Sequence, residues 1–100
     1  NHPAALSQMI QDPSEPNELR KSYLLSATRL LDQNQFEEEL ISVFSKAENS
    51  LEIRRFALDN LAANKNRALV TQLKQLLTKE RNPILSQELA RLIASLSSQR

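Results

Sequence analysis

Leu51-Glu52-Ile53-Arg54-Arg55-Phe56-Ala57-Leu58-Asp59-Asn60-Leu61 decides the reading of this chain. Ile53, Phe56, Ala57 and Leu61 recur at i, i+3, i+4 and i+8, the spacing of one face of a helix. The opening of that stretch has a counterpart 34 positions earlier, Asn17-Glu18-Leu19-Arg20-Lys21. A third copy begins at Asn82-Pro83-Ile84-Leu85, where Leu85 follows Ile53 by 32. The segments between repeat as well. Leu6 and Ile10 align with Leu40 and Phe44, then with Leu73 and Leu77, at spacings of 34 and 33. A period near 33 with two helical patterns in each period is the signature of stacked helical pairs. One pair cannot bury its apolar face alone, so neighbouring pairs must cover it. Such stacks usually hold other molecules, which points to a binding or scaffolding module.

Composition agrees with an all-α chain. Its 100 residues include no glycine, where ordinary usage gives about seven. Tight β-hairpins, phosphate-cradling loops and nucleotide-binding fingerprints all need that residue. Good helix formers dominate instead. The absence of cysteine excludes disulfides and thiolate metal sites but leaves the cellular compartment open. No apolar run approaches the ~20 residues that span a bilayer, so no membrane role is expected. The chain starts with Asn1 rather than Met and reads as a processed or trimmed piece, so the lack of a leader carries little weight. Its ends fall out of phase with the repeat, as in part of a longer chain or a short stack capped by its first and last helices.

The pattern predicts six helices, each antiparallel to its predecessor because the turns between them are short. The first runs from Pro3 to Gln11 with Leu6, Met9 and Ile10 on one face. The two prolines of Asp12-Pro13-Ser14-Glu15-Pro16 then break the chain. This divides an N-terminal half-repeat and linker, 1–16, from a repeat region, 17–100, both within one structural domain. The second helix spans about 17–32, with Asn17 as N-cap and Leu19, Tyr23, Ala27, Leu30 and Leu31 as its core stripe. Gln33-Asn34-Gln35 reads as a turn. The third helix, about 35–47, buries Phe36, Leu40, Val43 and Phe44, with Ile41 alongside. Ser50 is placed to cap the fourth, about 51–63. The fifth, about 67–79, carries Leu69, Val70, Leu73, Leu76 and Leu77. Pro83 opens the sixth, about 83–97, at a first-turn position where its missing N–H costs nothing.

Within the fourth helix, Ile53, Arg54, Ala57 and Leu61 match an aliphatic residue, Arg, two variable positions, Ala, three variable positions and Leu. That pattern resembles the first helix of a HEAT repeat. The other copies depart from it: Tyr23 and Ala27 stand for Ala and Leu in the first, and Ser86 and Leu89 for Arg and Ala in the third. The resemblance covers roughly 17–97. It implies a HEAT-like α-solenoid of stacked hairpins, in which Ala57 permits close helix approach and Arg54 has a structural role bridging to a neighbouring repeat. The period is shorter than the usual HEAT length and nearer that of tetratricopeptide repeats, whose pattern requires the Gly and Trp this chain lacks.

Little points to catalysis, and no catalytic, cofactor-binding or metal-ligating residue is assigned. The sole histidine, His2, lies at an end where it cannot be held against a nucleophile. Glu37, Glu38 and Glu39 point about 100° apart on a helix, so they cannot converge on one metal ion. Glu37 and Glu38 sit in the first turn, where the helix dipole favours anions, so the cluster reads as a solvated face, with a contact for a basic partner as the alternative. Charge is uneven. Residues 1–49 carry four basic and eight acidic side chains, net −4, and residues 50–100 carry nine and four, net +5. The basic residues Arg54, Arg55, Lys65, Arg67 and Lys74 lack interleaved aromatics for base stacking, which disfavours nucleic acid. By resemblance, the second helices of successive repeats line a concave surface. Ser42, Ser45, Thr71, Lys74, Gln75 and Thr78 would lie on it, the last four on one helix face. The expectation is a non-enzymatic module that binds a protein or peptide there. Its alternatives are a nucleic-acid or other polyanion binder using the basic second half, or an accessory domain of a multidomain enzyme. Arg29, Asp59 and Arg91 mark the opposite face.

Overall fold

A computed structural model describes residues 3–98, with the backbone alone for Pro3 and Ala4. The described residues form six α-helices and no strand: α1 (Pro3–Gln11), α2 (Asn17–Leu30), α3 (Gln33–Ser45), α4 (Leu51–Asn64), α5 (Val70–Lys79) and α6 (Pro83–Ser97). A short 3₁₀ turn, Arg67–Leu69, precedes α5. The chain divides into two compact units, Asn1–Asn60 and Leu61–Arg100.

Local chemistry sets where the helices start and stop. After α1, the Asp12 carboxylate accepts from the Ser14 N–H at 2.9 Å and from its hydroxyl at 2.7 Å. These two bonds hold the Asp12 carboxyl below its ordinary pKa. Asn17 does not cap α2. Pro16 takes that position, its carbonyl accepting from the Leu19 and Arg20 N–H groups, and the Asn17 amide donates to the Ser50 hydroxyl at 2.8 Å. Nor is Gln33-Asn34-Gln35 a turn. Asp32 accepts from the Gln35 N–H at 2.8 Å and the Gln35 side chain accepts in return from the Asp32 N–H, a capping box that makes these residues the first turn of α3. Asn82 caps α6 by accepting from Ile84 and Leu85, with Pro83 in the first turn as expected. After α4, Lys65 takes φ of 52°. That is the left-handed position that ends many helices, and glycine usually fills it.

In the first unit, α1 packs against α2 and α3. Ile10, Leu24, Leu40, Val43 and Phe44 are fully enclosed. The α3 core is as the sequence predicts. The α2 core is not. Leu19 is 44% exposed and Leu30 also faces outward, while Arg20, Leu24 and Ala27 are buried. The buried face is therefore the i, i+4, i+7 row that starts at an arginine.

Arg20 is buried for an identifiable reason. Its Nε–H donates to the Ile10 carbonyl at 2.8 Å and its Nη1 to the Asn49 side-chain oxygen at 3.1 Å. The Asn49 amide in turn donates to the Val43 carbonyl at 2.8 Å. Ile10 lies in the last turn of α1, where carbonyls lack helical partners. The same bond recurs one repeat later: Arg54 Nε–H donates to the Phe44 carbonyl, in the last turn of α3, at 2.7 Å. Each arginine reaches back ten residues, and the two are 34 positions apart. A hydrogen bond from a charged donor contributes about 1.5–3 kcal/mol, although Arg20 leaves Nη2 without a partner. Burial lowers the Arg20 pKa, and the charge of Asp12 opposes that shift. Arg54 also lies over the Phe44 ring, 5.1 Å from its centre.

In the second unit, α5 packs against α6. Leu73 and the α6 residues Leu85, Leu89, Leu92, Ile93 and Leu96 are buried, as their periodicity predicts. Leu69, Val70, Leu76 and Leu77 are only half-buried.

Candidate functional site

The six residues singled out for partner binding divide between the two units. In the first, Ser42 is half-buried and its hydroxyl donates to the Gln11 side-chain oxygen at 3.1 Å, an oxygen that Lys46 also uses. Ser42 is thus tied to α1 and is not an open groove residue. Ser45 is exposed, and its hydroxyl donates to the Ser42 carbonyl within the helix.

In the second unit, Thr71, Lys74, Gln75 and Thr78 are all exposed on α5. At about 100° per residue Thr71, Gln75 and Thr78 fall on the side of the helix opposite buried Leu73, and Lys74, about 100° from Leu73, flanks them. The Thr78 hydroxyl donates to the Gln75 carbonyl. The side chains of Lys74 and Gln75 are unengaged among the described residues. Lys79 follows at the end of the helix, and Lys65 and Arg67 precede it, all exposed.

The carboxylates of α3 are not a solvated cluster. Glu37 is only 2% exposed and accepts from the Gln33 amide at 3.3 Å. Glu39 accepts from the Ser7 hydroxyl at 2.8 Å and the Gln11 amide at 2.7 Å, joining α3 to α1. Glu38 alone faces solvent fully. The 100° divergence predicted from the helix is what sends the three to different surroundings. Among the described residues, no His, Cys, Asp and Glu group could hold a metal ion, and no helix is long and apolar enough to cross a membrane. His2 lies outside the described residues.

One feature was not expected from the sequence. An open groove of about 560 Å³ lies between α2 and α4 in the first unit, lined by Lys21, Leu51, Glu52, Arg55, Phe56 and Asp59. Lys21 pairs with Glu52 across it and with Glu18 on its own helix. The Lys21 ammonium also sits 5.6 Å from the centre of the Phe56 ring, within cation–π range. Its hydrogen bond to Glu52 raises the Lys21 pKa and lowers that of Glu52. Phe56, assigned to the core by periodicity, is half-exposed here. A signal was present: each copy carries an acidic residue and, three positions on, a basic one, Glu18 and Lys21 in the first and Glu52 and Arg55 in the second.

The two surfaces differ in what they offer a ligand. In the groove, Lys21 and Glu52 neutralise each other and Arg55 is not free. On α5 the Lys74 and Lys79 ammonium groups and the Gln75 amide are unengaged among the described residues. Comparison with family models, with curated proteins and with solved structures found no match to this chain.

Proposed function

We propose that this chain is a non-enzymatic protein-interaction module, a HEAT-like stack of helical hairpins that binds a protein or peptide partner on the exposed face of α5. The observation that carries the reading is the recurring arginine clamp. Arg20 on the Ile10 carbonyl and Arg54 on the Phe44 carbonyl are the same contact 34 residues apart, in step with the sequence repeat. Hairpins built to one plan can stack, and stacked hairpins present extended surfaces. The Arg54 bond also fits the structural role that the HEAT resemblance implies for that residue. Thr71, Lys74, Gln75 and Thr78 supply hydroxyl, amide and ammonium groups on one helix face, suited to hydrogen bonding with a peptide.

The test is affinity capture from a lysate of the source, comparing wild type with a Thr71→Arg/Gln75→Glu variant. Both positions are exposed, so the variant should melt within about 0.5 kcal/mol of wild type. The reading expects a partner recovered by wild type and lost by the variant. Equal recovery by both would move the site to another face, and recovery of nothing specific would overturn the module.

A further inference from the structure

We infer that the α5 face takes an acidic segment of a partner protein. This deepens the module reading and rests on it. Between Asp59 and Glu80 the chain carries Lys65, Arg67, Lys74 and Lys79 and no carboxylate. All four cations are exposed. Among the described residues the side chains of these four cations make no ion pair or hydrogen bond.

The asymmetry extends over the whole unit. Residues 61–100 carry seven basic and two acidic side chains, net +5, and residues 1–60 carry six and ten, net −4. With seven basic side chains against two carboxylates the unit keeps an excess of positive charge, and four of the seven, Lys65, Arg67, Lys74 and Lys79, lie along α5 and the turn that leads into it. Such a surface attracts carboxylates and raises their encounter rate.

The shape of the face favours a peptide over a nucleic acid. The helix α5 has ten residues, so it is about 15 Å long and matches about five residues of extended chain. Thr71 and Gln75, beside Lys74, offer groups that can pair with a peptide backbone. The chain's aromatic residues are Tyr23, Phe36, Phe44 and Phe56, all outside this unit, so no aromatic on α5 can stack a base.

The experiment is fluorescence anisotropy with three labelled probes: a peptide of about ten residues alternating Glu and Ala, its Gln-for-Glu counterpart, and a thymidine oligonucleotide of similar length. Wild type should bind the Glu peptide about tenfold or more tightly than the Gln peptide at low salt, and lose most of that preference near 0.3 M salt, where screening is strong. Lys74→Glu/Lys79→Glu should weaken Glu-peptide binding about tenfold with an unchanged melt, and Lys74→Arg should retain it. Equal affinity for the Glu and Gln peptides, or a charge-reversed variant that binds like wild type, would overturn the inference. So would tighter binding of the oligonucleotide, or low-salt self-association that excludes the peptide. Failure of the peptide assay alongside a captured partner that Thr71→Arg/Gln75→Glu loses would refute the acidic ligand and leave the module standing.

Discussion

The helices α2 and α4 are two copies of one sequence element, and they bury different amounts of it. Both turn an arginine inward onto a carbonyl in the last turn of an earlier helix. In α4, Ile53 and Ala57 are fully buried beside Arg54, with Leu58 and Leu61. In α2 the equivalents of Ile53 and Ala57 are Leu19, 44% exposed, and Tyr23, half-buried. What the copies share is therefore the polar contact, and what differs is the apolar cover around it. A repeat can keep its hydrogen-bonded joint while the hydrophobic face varies with the neighbours available.

The largest expected effect follows from that difference. Ile53→Ala should cost about 2–5 kcal/mol, the range for truncating a buried aliphatic side chain. Leu19→Ala, at the equivalent position, should cost about 1 kcal/mol or less because nearly half its surface already meets water. Urea melts of the two variants give the comparison directly. Similar losses would mean that the two faces are buried alike and that the contrast drawn between the copies is wrong.

This contrast also marks what could be read from the sequence. The helix order and the bounds of α1 and α6 were legible because proline and asparagine punctuate them. The cores of α3 and α6 were legible because their apolar residues keep strict helical spacing. The α2 core was not, because its inward row, Arg20–Leu24–Ala27, begins with a charge that a hydrophobic pattern passes over. The start of α3 is hidden for a similar reason: three polar residues resemble a turn unless Asp32 and Gln35 are recognised as a reciprocal cap. For the candidate site, the exposed face of α5 follows from spacing alone, since Thr71, Gln75 and Thr78 lie opposite Leu73 and Lys74 flanks them. The attachment of Ser42 to Gln11 depends on how α1 packs against α3, and no local pattern encodes that. The groove beside Phe56 depends on how α2 lies along α4, which is equally non-local.

A smaller effect comes from the ion pair that links the two copies. Lys21 holds the Glu52 carboxyl below its ordinary value of 4.5. A carboxyl depressed on folding contributes stability that is present above its unfolded pKa and is lost as pH falls through the folded one. The melting temperature of wild type should therefore drop on the acid side of about pH 4.5, in part because Glu52 takes up a proton. Glu52→Gln should show a shallower drop over that range, with a residual fall from carboxyls such as Asp12. Identical acid limbs for the two proteins would show that the pair contributes nothing to the joint between α2 and α4.

The central claim is that Arg20 and Arg54 are equivalent buried clamps, and hydrogen exchange at the guanidinium Nε–H groups tests it in the intact protein. Nitrogen-edited NMR would resolve these protons and compare them with those of Arg29 and Arg91, which are exposed. Arg20 and Arg54 should both exchange with water at least about tenfold more slowly than the exposed pair, because their protons are held on buried carbonyls. Exchange as fast as that of Arg29 and Arg91 at either position would contradict it.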